Sequence, residues 1–182
     1  QISAAIKLIN DGCIEKLVLG SKLIFQLKKK LNIIQILHKL RLSQANACRY
    51  LWKRNKENII FGASPEKLFS FKEKVLQLEA IAGTEKIGFD METLLRSDKN
   101  LREHNFVINY LIENLKFLNI RNFNKGEIKV KKFGNIAHLC TLISAEVNKI
   151  CPFVLLEKLH PSPAVCGFPK EKALDYLDSL EN

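Results

Sequence analysis

Residues 100–118 constrain the fold more than any other stretch. They contain no Pro or Gly; Leu101, Ile108, Leu111, Leu115 and Leu118 recur on one helical stripe, and Phe106, Val107 and Tyr110 lie on another side. A helix this apolar needs a surface to bury against, and residues 75–82 offer one. There Leu76, Leu78, Ala80 and Ala82 fall on one face and Gln77 and Glu79 on the other, the period of a half-buried strand. Further on, residues 127–133 and 136–147 read as strands paired around Gly134-Asn135.

The remaining segments mix both types. Residues 3–9 read as the end of a helix stopped at Asp11-Gly12, and 15–19 as a short strand. Residues 31–47 carry Ile33, Ile34, Leu37, Leu40 and Ala45 at near-helical spacing. Two strands at 49–53 and 58–62 follow, joined by a polar turn at 55–57. Residues 160–169 form a Pro-rich stiff loop, and Pro169 opens a last amphipathic helix carrying Ala173, Leu174, Leu177 and Leu180. Strands and helices mixed without strict βαβ alternation place the chain in the α+β class.

The 182 residues suffice for one domain. No apolar run reaches the roughly 18 residues of a membrane-spanning helix, so no membrane partner is expected. Residues 1–7 carry neither an initiator Met nor a signal-peptide core. They read as the inside of a helix, so the chain is expected to be incomplete at its N-terminus. Five cysteines, odd in number and without a CxxC pair, argue against structural zinc or a disulfide framework and point to the reducing cytoplasm. The formal charge of +10 raises the question of nucleic acid, but the short basic groups, such as residues 28–30 and 129–132, lack interleaved aromatic platforms. A Lys-rich solvated surface, attractive also to a small dianion, is the reading, with no nucleic-acid partner expected.

Four features could carry chemistry. Lys16 shares a strand face with Val18, opposite Leu17 and Leu19; it is either an edge-strand lysine or, if buried, a group able to act as a base. Glu79 lies on a strand that ends in small residues, Ala82 and then Gly83-Thr84, where backbone can approach a ligand closely, or it simply faces solvent. Glu103 on the long helix has Phe106 and Val107 as i+3 and i+4 neighbours, and a carboxylate on such a face needs a partner or a metal unless it simply serves the helix start. Residues 160–169 are stiff enough to be a wall built to a fixed shape, or a plain crossover turn.

In order along the chain, Lys16-Leu17-Val18-Leu19, residues 61–68 (FGASPEKL), Glu79 to Thr84 (EAIAGT), residues 97–104 (SDKNLREH), His138-Leu139-Cys140-Thr141 and residues 159–169 resemble the motifs of chorismate-utilising enzymes. The glutamate before Ala-Ile-Ala-Gly-Thr and the His-Pro loop are similar to the isochorismate synthase branch; salicylate synthases share that glutamate and are the nearest rival. The resemblance implies the chorismate-utilising fold, antiparallel sheets flanked by helices, and an isomerase feeding quinone (menaquinone or phylloquinone) or siderophore precursors.

It also implies roles. Lys16 would activate a water that attacks C2 of chorismate, and Glu79 would protonate the departing C4 hydroxyl. Glu103 would help hold Mg2+, for which oxygen ligands are suited. Ala82, Gly83, Thr84, His138, His160, Pro161, Ala164, Val165 and Gly167 would line the chorismate site. The chain departs from the family pattern at Gly20-Ser21, where Ala-Arg is usual, at Glu85 in place of an Arg, at Asn100 in place of an acidic residue, and at Cys166. Residues 1–182 are expected to be a partial catalytic domain, cut short before strands that bear a second metal-binding glutamate and an arginine. Weak or no turnover by the isolated polypeptide is the corresponding expectation, and a non-catalytic remnant is the alternative from another class.

Overall fold

The computed structural model describes residues 1–55, 57–88 and 91–181, and only the backbone of Met91, Leu180 and Glu181. Lys56 of the expected 55–57 turn and the Leu180 side chain of the last helix therefore lie outside the described residues. Helix α1 (Ile2–Asn10) is followed by the two-residue strand β1 (Lys16–Leu17), helix α2 (Ile33–Ser43) and a hairpin of β2 (Cys48–Lys53) with β3 (Ile59–Ser64). A five-stranded antiparallel sheet comes next, with β8 (Ile136–Glu146) at its centre. Along one edge of β8 runs β5 (Val75–Lys86), with β4 (Ser70–Lys72) outside it. The other edge is shared by β6 (Phe123–Lys125) and β7 (Lys129–Phe133), which pair with successive halves of β8.

The alternation of β5 is realised as read: Leu76, Leu78, Ala80 and Ala82 are buried, while Gln77 is exposed and Glu79 half-buried. Helix α4 (Asp98–Phe117) lies across the buried face, capped by Ser97, whose side chain accepts from the Asn100 N–H. Its apolar residues do not divide into two stripes. Val107, Ile108, Tyr110, Leu111 and Leu115 are buried together in one cluster with Leu76, Leu78 and Ile143, whereas Leu101 and Leu118 are only partly buried. The reason is a second neighbour: α5 (Pro152–Leu159) inserts Leu155 and Leu159 into the same cluster, so the helix needs an arc wide enough for a sheet and a helix.

Four short elements go beyond the sequence reading: β4, β6, α5 and α3 (Met91–Arg96), the last burying Leu94 against Ala137 and Leu139. The expected strand at 15–19 contracts to β1, which pairs with β9 (Gly167–Phe168) inside the Pro-rich loop; α6 (Lys170–Glu181) follows as expected after Pro169. Among the described residues no helix is long and apolar enough to cross a membrane.

Candidate functional site

β1 is short, but its pairing decides where Lys16 points. Lys16 lies opposite Phe168 and Leu17 opposite Gly167, and the ladder is extended by Glu15 N–H to the Phe168 carbonyl (2.8 Å) and Val18 N–H to the Cys166 carbonyl (2.7 Å). A Cβ at Gly167 would fall on the Lys16 carbonyl and the Ala173 side chain, so glycine here lets the two backbones meet. With the strand fixed, Lys16 is no solvent-facing edge lysine. Its side chain is 13% exposed, and Nζ donates to the Pro163 carbonyl at 2.7 Å and pairs with Glu103 Oε1 at 3.0 Å. The stiff loop, the short strand and the first turns of α4 are thereby joined through one amino group.

Across from them β5 breaks its register between Ala82 and Thr84. Gly83 sits there at φ +78°, and a Cβ would approach the Asn100 Cβ and carbonyl oxygen to 3.0 Å, so this position accepts no side chain. The bulge sets Thr84 opposite His138 on β8, and Thr84 Oγ1 lies 2.9 Å from His138 Nδ1. His138 Nε2 is buried and has no hydrogen-bond partner among the described residues. Two departures from the family pattern also meet here: Asn100 Nδ2 donates to Glu85 Oε1 at 3.3 Å.

These walls enclose a cavity of about 140 Å³ lined by Ile81, Ala82, Gly83, Thr84, Glu103 and His138, closed by Ala164 from the loop and by Pro65 and Glu66. The volume is below the roughly 300 Å³ at which ligand pockets typically begin, so the cavity as it stands does not enclose a whole ligand of that class. A larger groove of about 340 Å³ between Tyr110, Phe117, Lys158 and Phe168 is open, lined by charged surface residues, and contains none of the predicted site residues.

Burial dominates the electrostatics. It lowers the pKa of His138 despite the nearby Glu103 charge, so the ring is neutral at pH 7. His104, wholly buried with Nε2 2.8 Å from Thr141 Oγ1, is pushed down to about 4 by burial, against the pull of the Ala82 backbone and Glu103. Burial also raises the carboxyl of Glu66, against the lowering effect of Lys16.

The predicted residues are thus distributed unevenly. Ala82, Gly83, Thr84, Glu103, His138 and Ala164 share the cavity, and Lys16 is bound to Glu103 at its edge. Glu79 lies further along β5 and pairs with Lys131 Nζ at 2.8 Å, both side chains part-exposed. His160 is exposed, its carbonyl accepting from Lys170 Nζ; the Pro161 carbonyl faces the Tyr110 hydroxyl at 3.4 Å; Val165 is exposed; and Gly167 packs on β1. Pro65, Glu66 and Ile81 line the cavity but were not among the predicted site residues, although Glu66 lies in the 61–68 motif. For Pro65 and Glu66 the signal was the Ser64-Pro65-Glu66 run, in which a proline fixes the chain as it leaves β3.

For Mg2+ the donor set is short. Glu103 is a single carboxylate already engaged by Lys16, and no group of three or more His, Cys, Asp or Glu able to hold a metal occurs among the described residues. These residues alone do not fit the six oxygen ligands such an ion takes.

The chain matches the family model described as Chorismate binding enzyme over residues 1–182. It is 28% identical to isochorismate synthase MenF of Haemophilus influenzae, over 99% of this chain and 44% of that protein. It is 30% identical to isochorismate synthase MenF of Bacillus subtilis, over 99% and 40%. The solved structure of DhbC from Bacillus anthracis superposes with a TM-score of 0.86 at 25% identity, covering 99% of this chain and 52% of that one. The chain therefore spans less than half the length of those two curated relatives. Its antiparallel sheet with α4 across one face is the fold of these proteins, and by a match that runs from its first residue to its last this chain belongs to the chorismate-binding enzyme family.

Proposed function

We propose that this chain supplies the chorismate-binding wall and the acid–base residues of an isochorismate synthase. The observation that carries the reading is the convergence of Lys16, Glu103, the Gly83 bulge and the Thr84–His138 pair on one cavity, in a chain similar to isochorismate synthases over nearly all its residues. Lys16 takes a proton from a water that attacks C2 of the ring, and Glu79 gives a proton to the hydroxyl leaving C4. One water enters and one leaves, so the product is an isomer. For Glu79 to donate, its ion pair with Lys131 has to open. His138, neutral and with Nε2 unpartnered, and the backbone at Ala82 to Thr84 orient the ring. His160, Pro161, Ala164, Val165 and Gly167 belong to the loop that closes over the ligand. If magnesium bound, Glu103 would be one oxygen ligand among others, giving up its pair with Lys16, and the ion would offset the charge of the ring carboxylate.

Chorismate binding by calorimetry with magnesium present, then product analysis in 18O-labelled water, tests this reading on a longer form that carries these residues together with the rest of the family's catalytic domain. Isochorismate labelled at C2, abolished in Lys16→Met and Glu79→Gln, is the expected product. Salicylate with pyruvate would replace the reading by the salicylate synthase rival, and failure to bind chorismate by a non-catalytic role.

A further inference from the structure

We propose that Lys131 is a substrate-contacting residue, an ammonium that leaves Glu79 when the ligand enters and takes a carboxylate of the ligand in its place. The inference rests on the chorismate reading above and adds a residue to it. It starts from the register of the sheet. Thr84 on β5 and Lys131 on β7 both lie opposite His138 on β8, and residues opposite one another across antiparallel strands share a face. That face is turned away from α4, because Leu78, Ala80 and Ala82 of β5 and Leu139, Thr141 and Ile143 of β8 fill the other. Glu79 is on the same face, opposite Leu142, so its pair with Lys131 at 2.8 Å reaches over β8 from the strands on either side. Lys131 Nζ lies 5.3 Å from the centre of the Phe133 ring, and that ring is 5.7 Å from the ring of His138. One ammonium thus joins the proposed proton donor to the Thr84–His138 row.

The charge balance of the reaction sets what happens to that ammonium. As donor to the departing hydroxyl, Glu79 has to carry its proton, and an uncharged carboxyl no longer neutralises Lys131. Lys131 is then a cation whose side chain is 36% exposed, and a ligand laid against Thr84 and His138 would cover it further. A covered cation without a counter-ion is costly, and a carboxylate of the ligand removes that cost. Lys16 cannot do the same without losing a tie, since it already holds Glu103 at 3.0 Å and the Pro163 carbonyl at 2.7 Å. Exchange at Lys131 leaves the backbone in place, because β7 is held to β8 by its own ladder from Lys129 to Phe133.

The test measures chorismate binding calorimetrically in the longer form described above, for the wild type, Lys131→Met, Glu79→Gln and the double variant. Glutamine at position 79 imitates the protonated donor, so Lys131 is already released there. Lys131→Met is expected to weaken binding by about tenfold, and to do so in the Glu79→Gln background as well. Lys129→Met removes an equal charge from an exposed position on the same strand and face, and should change binding by less than about twofold. Thermal unfolding of each variant shows that the fold is kept, and Lys131→Gln replaces the methionine variant if that one unfolds. A loss by Lys131→Met that disappears in the Glu79→Gln background overturns the inference, because Lys131 then acts only by holding Glu79. Equal binding by Lys131→Met and wild type overturns it too, as does an equal loss in Lys129→Met, which would reduce the effect to overall charge. All three outcomes leave the chorismate reading intact. No chorismate binding by the wild-type longer form removes that reading and this inference with it.

Discussion

In the sheet of β5 and β8, covered by α4, Leu76, Leu78, Leu139 and Ile143 are at most 1% exposed, whereas α2 has no buried residue and every residue of β2 is exposed. The same chain thus holds a close-packed body and a region whose apolar residues, Leu23, Ile24, Phe25, Ile34 and Trp52 among them, face outward. The candidate site lies on the seam between the two. Gly83, Thr84, Glu103 and His138 stand on the packed sheet and its helix; Lys16 and Glu66 come from the less packed side. A site of this kind is only as well defined as the ties across the seam, here the contacts of Lys16 with Pro163 and Glu103 and the β1–β9 ladder. The difference also locates stability: packing in the body should dominate, and the outer region should respond weakly.

The largest effect that could break this comparison is a core truncation. Leu78→Ala or Leu139→Ala removes side chains with essentially no exposure and should cost about 2–5 kcal/mol in denaturant unfolding. Ile34→Ala, at a residue 74% exposed, should stay within about 0.5 kcal/mol. Comparable losses at both positions would mean that α2 is covered in solution, and the contrast would collapse.

Next in size is a pH effect confined to the packed side. His104 is wholly buried and held down to about 4, below the ordinary value of 6.5. The unfolded chain therefore binds a proton that the folded chain refuses, and stability falls as pH drops from about 6.5 towards 4, by up to about 3 kcal/mol. Unfolding midpoints measured across that range for wild type and His104→Gln should differ in slope, the variant losing less on acidification. Parallel slopes would show that the ring is hydrated in the folded state.

Legibility in the sequence follows the same division. The strands β5 and β8 and the helix α4 could be read because each is long and half-buried, so apolar period and structure coincide. The elements that were missed, α3 and β4 to either side of β5, β6, and α5, have three to eight residues, too few for a period to stand out. β1 was readable as a strand, but its two-residue length depends on β9, more than a hundred positions away. In the site, the small residues of 82–84 announced a close approach, and the Gly83 bulge provides it. The Glu79–Lys131 pair joins residues 52 positions apart, and no local pattern encodes that. Glu66 was visible as a motif residue, but its burial comes from β5, α4 and the loop together.

A smaller effect tests the seam itself. Lys16 and Glu103, with side chains 13% and 34% exposed, should show a coupling of about 1–2 kcal/mol in a double-mutant cycle using Lys16→Met and Glu103→Gln. The fully solvated pair Lys72–Glu73, at 3.6 Å, should give less than about 0.5 kcal/mol by the same cycle. Equal couplings would mean that Lys16 is as solvated as a surface lysine and that the two sides of the site are not tied through it.

The smallest effect compares two helix caps of the same chemistry. Ser97 accepts from the Asn100 N–H at the start of α4, and Asn32 accepts from the Gln35 N–H at the start of α2. Removing a capping side chain costs about 1 kcal/mol when the helix must form for the protein to fold. Because α4 carries much of the buried cluster, Ser97→Ala should lower global stability by about that amount. Helix α2 buries no residue, so its first turn can open without disturbing the core. Asn32→Ala should therefore speed hydrogen exchange in the α2 amides while moving the global unfolding free energy by less than about 0.5 kcal/mol. A global loss as large as that of Ser97→Ala would show that α2 and the sheet unfold as one unit, and the exposed side chains of residues 18–64 would then need a different account.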